Sequence, residues 1–207
     1  MFLRFVLCIG LTAALASAAP RPSLAQKPAP TPPAAAQPDT APPAPAASPA
    51  GQEKDPFGED TTLTAKPIVY IKGTGNWDHA FETITGSLKT LKAYIEKVGL
   101  KADGEPMTIF TATDDTGFQY EAAVPIVEPP KNSQHGEIAV GTSPAGHALK
   151  FVHRGSYDGL DNTYEAITNY LDERRLEARD MFIEQYVTDP LSTNPEHLVV
   201  NVFVLIK

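Results

Sequence analysis

One carboxylate between two aromatic residues is the strongest candidate for chemistry in this sequence. Phe182, Glu184 and Tyr186 alternate in the segment FIEQYVTDP, whose residues are typical of a β-strand that ends at an Asp-Pro turn. Alternate side chains of a strand lie on one face, so this spacing places both rings beside the acid. A carboxylate attracts a cation, and each aromatic face adds about 0.5–2 kcal/mol of cation–π attraction. The arrangement therefore suits the binding of a cation.

An ordinary structural interpretation of Glu184 stays open. On a solvated sheet face its carboxylate would pair with a basic residue such as Arg154 or Lys150. In that case the two neighbouring rings would carry no functional meaning.

Three further residues are weaker candidates. Glu121 lies on another predicted strand and could supply a second carboxylate, although an exposed strand Glu is common. Trp77 and Tyr157 each follow a strand and begin a helix, where packing explains an aromatic residue at least as well as ligand binding does. We predict no catalytic residue from these positions.

Several other kinds of site are excluded. Cys8 is the only cysteine, which rules out thiol catalysis and cysteine–zinc sites in a processed chain. The glycines Gly73 and Gly75 lack the third glycine of a dinucleotide loop, because position 78 is Asp. No metal site and no cofactor are predicted, since metal-ligand spacing is missing from the histidines, which are His79, His135, His147, His153 and His197.

The N-terminal quarter predicts export and a tether. Residues 1–25 begin with one positive charge at Arg4 and continue with an apolar run and small residues that allow cleavage after Ala18 or Ala25. This is the layout of a cleaved signal peptide, so no stable membrane span is expected after cleavage. Residues 26–58 are mostly Pro and Ala and predict an extended, semi-rigid linker. We therefore expect a periplasmic or secreted protein with one folded domain over residues 59–207.

The charge of the chain after cleavage argues against nucleic acid as a partner. Cleavage after Ala25 leaves 15 Lys and Arg against 25 Asp and Glu, a net charge of −10. Phosphate backbones bind to basic surfaces, and no cluster of basic residues is present. The remaining partner class is a small organic ligand, and the sequence leaves the oligomeric state unknown.

The folded part contains an internal repeat of strand, helix, strand and strand. The first module spans about 62–127 and the second about 137–207. A shift of 76 residues aligns the helical stripes, placing Leu91 on Ile167 and Leu100 on Leu176. With one residue deleted, MTIFTATD then lies over FIEQYVTD, and a shift of 80 aligns the last strands, placing Glu121 over Asn201.

The repeat predicts an α+β fold with an antiparallel sheet, two helices on one side and a ligand cleft between the modules. The apolar faces of the last strands, which hold Val124 and Val204, should pack on the helices. The faces with Glu121 and Asn201 should turn to water or to the cleft. On the penultimate strand we expect Ile183 to face the helices and Glu184 to lie on the mixed face.

The order and spacing of these motifs resemble those of the gyrase-inhibitor-like (GyrI-like) small-molecule-binding domain. Gly155-Ser156-Tyr157 matches the family's Gly-x-Tyr, and Ile183-Glu184-Gln185-Tyr186 matches its Tyr-Glu-x-Tyr with Ile in the first place. The resemblance covers about residues 62–207. It implies two modules about a pseudo-twofold axis, and it places Glu184 where drug-sensing members use an acidic residue to bind cationic aromatic ligands.

Function is therefore expected to be binding of a small, cationic or aromatic molecule. The predicted ligand-binding residues are Glu184, Tyr186, Phe182, Glu121, Trp77, Tyr157 and Asn201. Unlike the family's transcription regulators, the chain shows an export signal and a tether where a DNA-binding module would stand. Three alternatives remain: a hydrolase in which Glu184 and Glu121 act as acid and base, haem binding of the SOUL type with His153 as ligand, and a domain whose cleft is filled by its own side chains.

Overall fold

The structure is a computed structural model that describes residues 57–130 and 134–207. The predicted signal peptide and nearly all of the predicted linker lie outside these residues. The strands are β1 (Glu59–Leu63), β2 (Pro67–Asn76), β3 (Met107–Thr113), β4 (Gly117–Pro125), β5 (Gln134–His135), β6 (Ile138–Thr142), β7 (Gly146–Gly155), β8 (Ala178–Tyr186) and β9 (Leu198–Ile206), and the helices are α1 (Ala80–Val98) and α2 (Leu160–Arg174).

All strands join in one antiparallel sheet with the order β1-β7-β9-β8-β3-β4-β2-β6-β5. The first module contributes β2, β4 and β3, and the second contributes β8, β9 and β7. Their penultimate strands, β3 and β8, pair with each other at the centre of the sheet. The duplicated strand-helix-strand-strand architecture predicted from the sequence is thus confirmed.

Both helices begin and end by the same local chemistry. Asn76 and Ser156 cap short 3-10 turns, accepting hydrogen bonds from the backbone N–H of His79 and Gly159, and α1 and α2 follow these turns directly. At the other end Gly99 and Arg175 adopt left-handed conformations that close the helices.

The two modules differ by one helical turn. Their first strands and helix starts correspond with a shift of 80 residues, as the pair Asn76/Ser156 shows, whereas the helix ends Gly99 and Arg175 correspond with a shift of 76. Helix α1 has 19 residues and α2 has 15. The shift of 76 predicted for the helices therefore holds at their C-terminal ends.

The one-residue deletion predicted for the penultimate strands is wrong. Thr108 pairs with Ala122, and Glu184 pairs with Val202, so Thr108 is the first-module equivalent of Glu184. The deletion would have matched Thr108 to Ile183, which lies on the other face of the sheet. A twofold axis perpendicular to a sheet preserves the face, so equivalent residues must share it.

The helices pack on one face of the sheet and form the main core there. Ile84, Leu88 and Leu91 of α1 and Leu160 and Ile167 of α2 belong to this core, together with alternate residues of the strands, which include Tyr120, Ala122, Val124, Val200, Val202 and Val204. The prediction that the apolar faces of β4 and β9 take the helices is confirmed.

The predicted orientation of β8 is wrong. Phe182, Glu184 and Tyr186 stand opposite Val204, Val202 and Val200, the helix-facing residues of β9. Ile183 stands opposite Phe203 on the other face. Directly paired residues of neighbouring strands point to the same side, so the register of β8 against β9 carries the acid to the helix side.

The face without helices is covered by two short crossing segments. Residues 64–66 connect β1 to β2, and residues 143–145 return from β6 to β7, each crossing between the two halves of the sheet. They are tied by hydrogen bonds from Lys66 N to Ser143 Oγ (3.0 Å) and from Ser143 N to Lys66 O (2.8 Å). Strands β1, β5 and β6, which make this arrangement, were not predicted.

Within the described residues, none of the helices has both the length and the apolar composition needed to cross a membrane. Phe57, at the start of the described region, already packs on the rings of Phe151 and Tyr170, with centroids 4.9 and 5.9 Å away. Tyr170 also donates a hydrogen bond to the carbonyl of Gly58.

Candidate functional site

Glu184 is a buried carboxylate surrounded by tyrosine hydroxyls. Only 1% of the residue is exposed. Tyr164 donates to Oε1 over 2.8 Å, and Tyr157 and Tyr186 donate to Oε2 over 3.2 and 2.9 Å. No Lys, Arg or His forms an ion pair with Glu184 in the part of the chain that the structure describes. The solvated, salt-bridged interpretation of this residue is therefore wrong.

Three elements of the second module bring the hydroxyls together. Tyr157 begins the 3-10 turn after β7, Tyr164 lies seven residues later on α2, and Tyr186 is the last residue of β8. A spacing of seven residues is two helical turns, which keeps Tyr157 and Tyr164 on one side. Tyr186 follows Glu184 by two residues and so shares its strand face.

Burial sets the ionisation of this group. Removal from water raises the pKa of the Glu184 carboxyl above its usual value, and the three donated hydrogen bonds act in the opposite direction without cancelling the effect. Burial also raises the pKa of Tyr157, Tyr164 and Tyr186 well above their usual value, and the nearby carboxylate adds to that rise. The phenols therefore remain protonated donors while Glu184 is the group that titrates.

Aromatic rings from both modules form a series that begins at this carboxylate and crosses the paired strands β3 and β8. Phe182 contacts Tyr164 at 5.0 Å between ring centroids and stacks on Phe110 of β3 at 4.5 Å. Phe110 in turn stacks at 6.3 Å on Trp77. Phe81 of α1 reaches Tyr157 at 4.9 Å. Rings from both modules thus contact one another on the helix side.

The first module also contributes one hydroxyl. Thr108 is fully buried and directly opposite Glu184 in the β3–β8 pair. Its Oγ1 lies 3.1 Å from the hydroxyl of Tyr186. The polar cluster of Glu184, Tyr157, Tyr164, Tyr186 and Thr108, here called the tyrosine cage, therefore draws on both halves of the repeat.

Four of the predicted site residues lie together, and a fifth lies at the end of the ring series. Glu184, Tyr186 and Tyr157 belong to the tyrosine cage, and Phe182 packs on Tyr164. Trp77 stacks on Phe110, and its indole N–H donates to the carbonyl of Asp114 over 2.8 Å.

Glu121 and Asn201 lie on the opposite face of the sheet. Glu121 pairs with Ile109, which pairs with Ile183, and its carboxylate forms an ion pair with Lys72 at 3.0 Å. Asn201 donates a hydrogen bond to the side chain of Gln185 over 3.0 Å. Because Glu184 faces the helices, the sheet separates it from Glu121, and the paired acid–base mechanism with these two residues is wrong.

His153 is fully engaged within the fold. Its Nδ1 lies 2.8 Å from Thr163 Oγ1, and its Nε2 lies 2.8 Å from the carbonyl of Ser156. Burial lowers the pKa of its imidazole. An axial haem ligand needs one free ring nitrogen, which this arrangement does not offer. Across the described residues, no group of three or more His, Cys, Asp or Glu is placed to hold a metal ion.

Two cavities lie on the face without helices rather than at the tyrosine cage. One of about 190 Å³ has Met107, Ile183 and Phe203 in its lining, and another of about 480 Å³ is lined in part by Glu121 and Arg179. Neither touches Glu184. Glu184 is 1% exposed, and the three phenols contact its carboxylate directly.

Sequence reasoning missed Tyr164, Thr108, Phe110 and Phe81. Tyr164 lies seven residues after Tyr157, and this spacing was a usable signal, because a buried phenol needs a hydrogen-bond partner. Thr108 has no comparable signal, since its role depends on the pairing of two strands 76 residues apart.

Comparison with solved structures places the domain among effector-binding folds. It resembles the C-terminal domain of EcmrR with a TM-score of 0.62 and 14% identity, covering 72% of this chain and 96% of that one. It also matches EcmrR in a complex with DNA (TM-score 0.64, 14% identity, 72% of this chain), but spans only 57% of that chain. The structure of SAV2435 bound to tetraphenylphosphonium matches with a TM-score of 0.51 and 17% identity, covering 72% and 93%.

These identities establish the fold alone, and no curated protein matches the chain. The family assignment comes from the sequence. The model of the GyrI-like small molecule binding domain matches residues 61–207, which include both modules and the tyrosine cage. The chain belongs to the GyrI-like small-molecule-binding domain family.

Proposed function

We propose that this domain binds an organic cation with aromatic or other apolar substituents, and that Glu184 is its counter-ion. The observation that carries the proposal is a fully buried carboxylate whose described hydrogen-bond donors are all uncharged phenols. An ionised group in such a place is costly unless a positive charge accompanies it. A cationic ligand would supply that charge.

The surroundings favour an aromatic or apolar cation over a small hydrated one. Phe182, Phe110, Tyr164 and Tyr157 present rings beside or near the acid. Such rings attract a cation through their faces and replace the water that a metal or a small ammonium ion would otherwise keep. The neighbouring SAV2435 structure, which shares the fold, holds tetraphenylphosphonium, a cation of this class.

Binding requires movement of side chains. Glu184 is 1% exposed, whereas Tyr164 and Phe182, which contact each other beside it, are only partly buried. Among the described residues, Tyr164 is the one hydrogen-bond donor to Oε1. We therefore propose that the ligand enters where Tyr164 and Phe182 lie and displaces the Tyr164 hydroxyl from the carboxylate.

Calorimetric titration with tetraphenylphosphonium tests the proposal. We expect Glu184→Gln to weaken binding by about tenfold or more, since a partly desolvated ion pair contributes at least about 1.4 kcal/mol. Glu177→Gln is the matched control, because Glu177 is exposed and pairs only loosely with Lys207 at 4.0 Å. The anion tetraphenylborate, of similar shape, should not bind. Equal affinity of the wild type and Glu184→Gln for the cation would refute the role of Glu184.

We further propose that the domain acts outside the cytoplasm on a Pro/Ala tether. Support comes from the leader pattern of residues 1–25 and the composition of residues 26–58, of which only Phe57 and Gly58 are described by the structure. Intact mass spectrometry of protein from a periplasmic extract should show a chain starting at Ala19 or Gln26. A full-length chain retained in the cytoplasm would contradict export.

A further inference from the structure

We propose that Thr108 is a positioning residue for the Glu184 carboxylate, acting through the hydroxyl of Tyr186. Its importance for ligand binding rests on the function proposed above. Its effect on Glu184 does not, because that effect exists in the free protein. Three side-chain oxygens form a hydrogen-bonded chain. Thr108 Oγ1 lies 3.1 Å from Tyr186 Oη, which lies 2.9 Å from Glu184 Oε2.

Counting protons fixes the direction of this chain. An ionised carboxylate can only accept hydrogen bonds, so Tyr186 must donate its single O–H hydrogen bond to Glu184. The Tyr186 oxygen can then act only as an acceptor toward Thr108, so the Thr108 hydroxyl must donate to it. The direction therefore runs from Thr108 to Tyr186 to Glu184 whenever Glu184 is charged.

The donated bond from Thr108 makes Tyr186 a better donor. A hydroxyl that accepts a hydrogen bond becomes polarised and donates more strongly, and this cooperativity is larger where water is excluded. Thr108 and Tyr186 are both fully buried. In agreement, the contact with Thr108 acts to lower the pKa of Tyr186 against the larger effect of burial.

No other group on β3 can take this role. The groups that face Glu184 are Tyr157 from the 3-10 turn, Tyr164 from α2, Tyr186 from β8 itself and Thr108 from β3. Of these, only Thr108 belongs to the first module. The Glu184 site is thus completed by the half of the repeat that lacks the acid.

The experiment compares Thr108→Val, which keeps the shape but removes the hydroxyl, with Thr108→Ser, which keeps the hydroxyl. Thr111→Val is the matched control, because Thr111 lies on the same strand and bonds only to the carbonyl of Gln119. The first measurement is the titration midpoint of the Glu184 carboxyl carbon by NMR in the mature protein without ligand. The second is the affinity for tetraphenylphosphonium at a pH where Glu184 is ionised in all variants.

We expect Thr108→Val to raise the Glu184 midpoint and to weaken cation binding by about two- to tenfold, the range of one net hydrogen bond. Thr108→Ser and Thr111→Val should match the wild type in both. An unchanged midpoint in Thr108→Val would overturn the proposal and leave Thr108 a packing residue. If Thr108→Val does not fold, Thr108→Ala carries the same test. Should tetraphenylphosphonium bind none of the proteins, the proposed function fails, while the titration still decides the role of Thr108.

Discussion

Thr108 and Glu184 occupy equivalent positions in the two modules and stand directly opposite each other across the β3–β8 pair. The pseudo-twofold axis therefore passes between a neutral hydroxyl and a buried carboxylate. A nearly symmetric scaffold thus carries an asymmetric site: one module supplies the charge and three phenols, and the other supplies a hydroxyl and several rings.

The burial of Glu184 makes stability depend on pH in a defined direction. The folded pKa lies above the unfolded value of about 4.3, so the folded state binds the extra proton between the two values. The free energy of unfolding should therefore fall as pH rises through this window, by at most about 1.4 kcal/mol per pH unit. Glu184→Gln should lack this component.

Urea unfolding at closely spaced pH values, taken as the difference between wild type and Glu184→Gln, isolates the contribution of Glu184. Other titrating groups cancel in that difference. A difference that stays flat from about pH 4 to pH 8 would show that the folded pKa of Glu184 is not raised.

Tyr164→Phe should destabilise the domain at neutral pH and raise the pKa of Glu184 further. The change removes the only described donor to Oε1 while keeping the ring that packs on Phe182. A lost hydrogen bond to a buried charged group costs about 1–3 kcal/mol. The control is Tyr170→Phe, which removes a bond to the neutral carbonyl of Gly58 and should cost less in urea unfolding. If Tyr164→Phe lowers the free energy of unfolding no more than Tyr170→Phe does, the proposed role of Tyr164 in stabilising the Glu184 carboxylate is contradicted.

Glu121→Gln should leave tetraphenylphosphonium affinity within about twofold of the wild type. The carboxylate of Glu121 is on the face without helices and pairs with Lys72, so the sheet lies between it and the tyrosine cage. Calorimetry with both variants side by side provides the measurement. Weakening as large as that of Glu184→Gln would return Glu121 to the ligand site.

Haemin should not acquire a histidine-ligated Soret band when mixed with this protein. Both ring nitrogens of His153 are hydrogen bonded inside the fold, and ligation would cost one of those bonds. Absorbance titration with haemin measures whether such a band forms. The opposite result would be a red-shifted band that disappears in His153→Gln.

The local pattern of the chain was sufficient to predict both helices and six of the nine strands that the structure describes. The hydrophobic stripes of α1 and α2 and the alternation in β2, β3, β4, β7, β8 and β9 follow from periods of 3.6 and 2, which are local properties. The helix caps at Asn76 and Gly99 also follow from neighbouring residues. Strands β1, β5 and β6 escaped prediction because they are short and are held by pairing with distant strands.

The sequence by itself determined that Phe182, Glu184 and Tyr186 share a strand face, because side chains alternate whatever the fold. It could not determine which face that is. A carboxylate is expected toward water, yet the register of β8 against β3 and β9 turns Glu184 to the helices, where Tyr157, Tyr164 and Tyr186 satisfy it. Only the tertiary structure decided this, because pairing between strands, and not spacing along the chain, sets which side of a sheet is buried.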